Sequence, residues 1–368
     1  MQKKQVAVID VGSSKITAII GERGVNKTFV IKTRMEYAYD GYADREFFDE
    51  KVFTAHLNEI SRKIVSLTHG KIETVFVGVP GEFSNVTVKE SQISFPSKRK
   101  IKEVDVDALF DGGFAIHSQK STLINRSAVV YELDDCRRLA DPVGSQSGIL
   151  KGKLSFITCD NYFIDLVNDS ILSTGIKRVE FVSSSLAQAL YLIEPEVRDR
   201  ISVICDIGYI SSTLTIIQGD GILYQTSFGF GGGYITAEIA NKFDLDFSSA
   251  EKLKSKVNLS ALSGNGCYSL IESDGEYYQT EHIKSSVIFS LDSLCEQITT
   301  SLDQSGYSLP EYVPLSITGG GISFIRGARE HLSNRLSMSV EILSPKVPLM
   351  DKPTESDVLS LLNLALEQ

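Results

Sequence analysis

The sequence predicts an α/β protein made of two similar half-molecules, and three observations carry that prediction. Residues 6–20 read as an apolar strand ending at Asp10, a polar turn of Gly12, Ser13, Ser14 and Lys15, and a second apolar strand. Residues 201–217 repeat the pattern, with Asp206, Gly208, Ser211 and Ser212 at the turn. Between and beyond these hairpins, runs with helical spacing alternate with short strand-like runs, as an α/β architecture requires. One hairpin of this kind is an ordinary turn. Two that place Asp, Gly and serines in the same order imply an internal duplication.

Composition bounds the function classes. The 368 residues can bury two to four separate cores. Hydrophobic content of 42% and charged content of 23% are those of a globular protein in water. A net charge of −10 and a pI near 5.2 argue against a nucleic-acid partner. An acidic chain that takes a polyphosphate must do so locally, with backbone dipoles, a few cations and a metal ion. The cysteines at 136, 159, 205, 267 and 295 form no CxxC pair, which suits a reducing compartment and buried thiols. With the histidines also dispersed, no zinc site is expected. Residues 1–4 are basic, but the apolar run after them breaks at Asp10, so no secretory leader fits. No run approaches the roughly eighteen apolar residues of a membrane span, and the chain reads as cytoplasmic.

In chain order, residues 29–38 read as a third strand and 39–50 as a polar loop. Phe53, Leu57, Ile60, Ile64 and Leu67 recur at helical spacing and stop at Gly70. Thr74 to Val79 is a buried-type strand, ending at Pro80-Gly81. The character changes at 82–160: a strand at Ser84 to Val88, a basic turn at Lys98, Arg99, Lys100 and Lys102, a helix from Asp105 to Phe114, and extended runs at 128–133 and 153–158. The basic turn is expected to be a solvated one. Helix, strand and helix follow at 163–172, 178–181 and 183–192. After the second DxG hairpin, Gly219-Asp220-Gly221 turns the chain into a strand to Phe228. Glycines at 229–233 open a helix, and Ser248 with Glu251 has capping-box spacing for the next. A polar patch at 258–275 precedes a long helix through Ile283 and Leu302. A strand at 315–318 runs into Gly319, Gly320 and Gly321, with a helix expected directly from Ile322 to Leu336. A short strand at 340–343 and a final helix from 353 complete the chain.

The chemistry concentrates in four turns. Glycine runs let backbone N–H groups approach anionic oxygens with no Cβ in the way. Asp10 and Asp206 are expected to face each other across a cleft and to hold Mg²⁺ through its water shell, since Mg²⁺ keeps several waters. Ser13, Ser14 and Lys15 would hold the outer phosphates of a nucleotide, with Gly12, Gly208, Ser211 and Ser212 closing the two turns around them. Gly231 and Gly232 would form a glycine loop, and Gly319, Gly320 and Gly321 would flank the α-phosphate and ribose. Glu251 and Lys254 would bracket sugar and base; the competing reading for them is a solvated helix face with one capping interaction.

In this order the motifs resemble the actin/Hsp70/sugar-kinase superfamily, and within it the FtsA family of bacterial actin-like cell division proteins. VAVIDVGSSKITAIIGE resembles that family's first phosphate motif, VICDIGYISSTLTII its second and LSITGGGISFIRG its adenosine motif. FGFGGGYITAEIANKF with SSAEKLKSKV, and RKIKEVDVDALF with DPVGSQSGILKGKLSFIT, resemble further family segments. The resemblance runs essentially end to end, and the insertion after the Val79 strand selects FtsA. It implies an actin-like two-lobed ATPase fold of two ribonuclease-H-like halves with an FtsA-type inserted subdomain. Subdomain 1A would take 1–81, 161–196 and 347–368; 1C would be 82–160; 2A would take 197–229 and 311–346; and 2B would be 230–310.

The resemblance also implies ATP with Mg²⁺, self-association into filaments, binding of the FtsZ C-terminal tail on 2B, and contact with other division proteins through 1C. The implied location is the cytoplasmic face of the membrane at the division site. Family members usually continue into a basic amphipathic membrane helix, so membrane contact is expected only through such a helix, which this chain does not contain. Its own final helix is acidic and reads as a packing helix. Catalysis would be at most slow ATP hydrolysis, because Tyr209 and Ile210 stand where the second phosphate motif commonly has glycines. Two rivals share the superfamily. A pilus-assembly adaptor would bind nucleotide but work as a docking platform. A metabolite kinase would need a base toward an acceptor hydroxyl, for which no candidate stands out.

Overall fold

The computed structural model describes residues 5–25, 28–114, 119–260 and 270–367. The first hairpin is β1 (Gln5–Val11) and β2 (Lys15–Arg23), followed by β3 (Phe29–Ala38). The loop expected at 39–50 contains a small ladder, β4 (Tyr42–Ala43) with β5 (Glu46–Phe47). Helix α1 (Glu50–Thr68) starts where the Asp49 carboxylate accepts from the Lys51 and Val52 N–H groups, and it ends on left-handed His69. Its Phe53, Leu57, Ile60 and Ile64 are buried. Strand β6 (Thr74–Val79) then runs parallel to β1.

The inserted segment is a second, separate sheet. β7 (Ser84–Lys100) is far longer than the short strand expected, and it absorbs the basic residues 98–100, so they form no turn. Arg99 makes two bonds to Asp105 (2.8 and 2.7 Å) at the start of α2 (Glu103–Gly113), and Lys98 lies 3.0 Å from Asp134. β8 (Ser121–Leu133), β9 (Arg138–Leu139) and β10 (Gln146–Asp160) complete it in the order β7-β10-β8-β9. Helix α2 lays Leu109 and Phe110 on this sheet against Leu154 and Phe156.

The chain returns through α3 (Asn161–Leu172), β11 (Arg178–Ser183) and α4 (Ser184–Leu192). The first lobe's sheet is thereby completed in the order β11-β6-β1-β2-β3. After α5 (Pro195–Arg198), the second lobe repeats the plan with β12 (Ser202–Ile207), β13 (Ser212–Gln218) and β14 (Gly221–Phe228). Helices α6 (Gly232–Phe243) and α7 (Phe247–Lys256) follow. Asp246, not Ser248, caps α7, accepting from the Ser249 N–H at 3.0 Å. Part of the polar patch at 258–275 is a hairpin, β15 (Leu270–Ser273) with β16 (Glu276–Gln279). Residues 261–269 of that patch, Cys267 among them, lie outside the described residues.

Helix α8 (Thr280–Ser305) leads to β17 (Leu315–Thr318). Helix α9 starts only at Ala328, after Gly327 with φ +87°, and ends at Leu336, so Gly319–321 do not sit at its N-terminus as expected. β18 (Val340–Ile342) closes the second sheet in the order β14-β13-β12-β17-β18. The order matches the first sheet strand for strand: a hairpin, a third antiparallel strand, and two parallel strands beyond. The last helix, α10 (Ser356–Glu367), crosses back and buries Val358, Leu359, Leu361, Leu362 and Ala365 against Val6, Val8, Ile19 and Phe76. It packs in the first lobe, as its apolar spacing requires.

Candidate functional site

The two hairpin turns close alike, down to the hydrogen bond. The Gly12 N–H donates to the Lys15 carbonyl at 3.0 Å, and the Gly208 N–H to the Ser211 carbonyl at 3.1 Å. Both turns face a cavity of about 300 Å³ between the lobes. Asp10, Gly12, Ser13, Ser14 and Lys15 line it from the first lobe. Asp206, Gly208, Ser211, Gly319 and Gly320 line it from the second. Tyr42, Gly81, Ser184, Ser185, Thr213, Thr354 and Asp357, none of which the sequence singled out, line it as well.

Asp357 is the consequential addition. It stands in the first turn of α10 and shares the Gln188 side-chain amide with Asp206, to which that amide donates at 2.9 Å. A third carboxylate thus joins the pair. Burial, and next the charge of Asp206, push Asp10 up to about 7, against the pull of Lys15. Burial also raises Asp206, and burial with the charges of Asp206 and Asp10 raises Asp357 well above the usual carboxylate range. The Lys15 ammonium lies 3.1 Å from Glu36, itself held by Arg34 at 2.8 Å, so this cation is already shared.

The buried carboxylates of this cavity have, among the described residues, only the shared Lys15 cation near them, and a divalent cation would offset them further. Among the described residues no three acids or histidines converge as direct metal ligands. A cation kept in its water shell would be held by Asp10 and Asp206, which both line the cavity. Serine hydroxyls of the kind that line the cavity can partner phosphate oxygens.

A family profile described as "Cell division protein FtsA" matches residues 203–360, which include the second hairpin, the glycine run at 319–321 and Asp357. Full-length similarity agrees. The cell division protein FtsA of Buchnera aphidicola is 21% identical over 94% of this chain and 85% of its own length. The FtsA of Staphylococcus epidermidis is 19% identical over 100% of this chain and 80% of its own. The chain is similar to FtsA proteins at about one residue in five.

Solved structures give the fold alone, which is of the actin-like kind. The PilM-PilN type IV pilus biogenesis complex aligns over 100% of both chains at 16% identity and a TM-score of 0.65. MreB5 of Spiroplasma citri bound to ADP aligns over 98% of this chain and 95% of its own, at 12% identity and a TM-score of 0.56.

The remaining predicted site residues lie behind the cavity wall. Ser212 is buried and donates to the Phe230 carbonyl at 2.6 Å. Gly231, Gly232 and Gly321 pack three loops against one another. The Gly232, Gly233 and Gly321 N–H groups donate to the Gly208, Tyr209 and Ile207 carbonyls at 2.9, 2.8 and 2.7 Å. These glycines therefore spend their N–H groups inside the fold, and their lack of a Cβ serves close packing. A Cβ on Gly232 would stand 2.5 Å from the Gly321 oxygen.

Lys254 is only 1% exposed and sits under that junction. Its ammonium donates to the Gly232 carbonyl and the Thr236 hydroxyl, both at 2.8 Å, and pairs with Glu251 at 2.8 Å. It also lies 5.3 Å from the Phe324 ring centre and 5.7 Å from that of Tyr209. Burial lowers its pKa, with Glu251 opposing. The solvated-face reading of this lysine is wrong: buried Lys254, paired with the partly exposed Glu251, braces the glycine loop from beneath.

Proposed function

We propose that this chain is an ATP-binding, actin-like scaffold of bacterial cell division that assembles into filaments. In this reading it links the FtsZ ring to the cytoplasmic membrane and to later division proteins. The observation that carries it is the pair of matching hairpin turns, one from each sheet, that put Asp10 and Asp206 on one cavity. A ligand held from both sides fixes the angle between the lobes, and a fixed angle is what a longitudinal filament contact needs. A micromolar ligand supplies about 8 kcal/mol, ample to bias a hinge whose states differ by a few.

The residues lining the cavity would hold the phosphates, and Mg²⁺ would offset the carboxylates through its water shell. Lys254 and Glu251 would shape the sugar and base side from beneath. The inserted sheet would serve as subdomain 1C and the α6–α8 region as 2B, where the FtsZ tail would dock. Full-length similarity to FtsA proteins of two organisms supports this reading. Hydrolysis would be slow at most. The site of action would be the cytoplasmic face of the membrane at the septum.

The test pairs nucleotide binding with assembly. Purified chain should bind Mg-ATP, assemble on lipid monolayers carrying a tether, and retain an FtsZ C-terminal tail peptide. Asp10→Ala should weaken nucleotide binding and assembly together. Assembly that persists in that variant after nucleotide binding is lost defeats nucleotide gating. Robust phosphate transfer to sugars or short acids would favour the kinase reading. A second reading, a pilus-assembly adaptor, draws on the full-length overlay with the PilM-PilN complex at a TM-score of 0.65. Retention of a PilN-type peptide in place of the FtsZ tail would select it.

A further inference from the structure

Tyr209 and Ile210, where glycines were expected, bolt the second turn across the cleft. The Ser13 hydroxyl of the first lobe accepts from the backbone N–H groups of both, at 3.3 and 3.1 Å. Ser13 is 7% exposed, so this is an interior contact. Two successive N–H groups aimed at one oxygen make the concavity that hairpin turns offer to an anion. Here a neutral hydroxyl from the opposite lobe fills it.

The turn is not free to retreat. The Tyr209 carbonyl accepts from the Gly233 N–H at 2.8 Å, and its ring meets Phe247 edge-on at 6.3 Å between centres. On the other side the Ile210 side chain packs on Gly41, where an added Cβ would stand 2.8 Å from its terminal carbon. The bulk of the two residues thus lies to either side of the turn and anchors it, while their N–H groups stay on Ser13.

We propose that the Ser13 hydroxyl occupies the place of a nucleotide's terminal phosphate, so that the site holds nucleoside diphosphate more tightly than triphosphate. This rests on the nucleotide reading of the cavity. A diphosphate leaves the Ser13 bonds to Tyr209 and Ile210 intact. A triphosphate must break both to reach the same N–H groups.

Titration calorimetry with Mg-ADP and Mg-ATP tests it on the full chain. The expected result is ADP bound roughly tenfold more tightly than ATP, the effect of one to two net hydrogen bonds. Ser13→Ala, which frees both N–H groups, should bring that ratio to within about twofold of unity. Ile210→Ala, which loosens the anchor and keeps the hydroxyl, should move the ratio the same way. The ratio is internal to each preparation, so a partly inactive sample does not distort it. ATP bound as tightly as ADP by the unaltered chain overturns this proposal and leaves the nucleotide reading standing, as does a ratio that Ser13→Ala leaves unchanged. Binding of neither nucleotide overturns both.

Discussion

At the scale of single residues, the cavity's acids work against folding. Asp10 loses its proton near 3.8 in an unfolded chain and only at about 7 here. Between those values the folded form binds the extra proton, so stability from this group falls as pH rises from about 4 to 7 and is flat above. Asp206 and Asp357 act with the same sign. Asp10→Asn should therefore raise the melting temperature at pH 7.5 without nucleotide, by about 2–5 °C, and flatten its decline between pH 5 and 7.5. The same variant should lose Mg-nucleotide binding. An unchanged pH profile would show that the carboxylate is not strained when no nucleotide is added. Lys254 is the opposite case, a residue whose loss strands others. Lys254→Met should cost about 2–3 kcal/mol in urea unfolding, because it leaves Glu251, Thr236 and the Gly232 carbonyl without their cation.

At the scale of elements, the sequence was most informative where a pattern repeated. The paired DxG hairpins, the amphipathic α1 and α8, and the apolar stripe of α10 were all legible from spacing and turn chemistry. Three things were not. The length of β7 and β10 was hidden because a strand of an inserted sheet alternates charged and apolar residues, which reads locally as a turn at Lys98–Lys100. The role of the glycines was misassigned because a sequence shows that a Cβ is missing, not whether ligand or backbone uses the space. At 231, 232 and 321 it is backbone. Gly232→Ala should thus destabilise the second lobe by about 1–3 kcal/mol even with no nucleotide present, measurable by urea unfolding. Equal stability with weaker nucleotide binding would return that glycine to the ligand. The third is Asp357, an acid at the start of an otherwise apolar helix, which carried no signal of its own. The serine run at 183–185, between a strand and a helix, was the one available hint of the cavity's far wall.

At the scale of the whole molecule, the lobes meet in more places than the cleft between the DxG turns. The inserted sheet emerges from the first lobe but is stitched to the second. The Ser155 hydroxyl donates to the Ile222 carbonyl at 2.7 Å, and the Asp220 N–H to the Ala128 carbonyl at 3.2 Å. Gly219, at φ +57°, lies so close that a Cβ would stand 2.1 Å from the Val129 oxygen. Gly219→Ala should prise this joint apart while leaving the DxG turns untouched. Hydrogen exchange should rise in β8 and β14 together, and exchange confined to the 219–221 turn would mean the joint does not couple the two bodies.

That joint makes the inserted sheet a strut and not merely an appendage. A hinge between two lobes normally opens freely on every side that its linkers allow. Here β8 and β14 fasten one side, a second tie besides the bonds from Tyr209 and Ile210 to Ser13. A partner that grips the inserted sheet and shifts it against the second lobe would therefore pull on the cleft from behind, as a lever acts on a jaw.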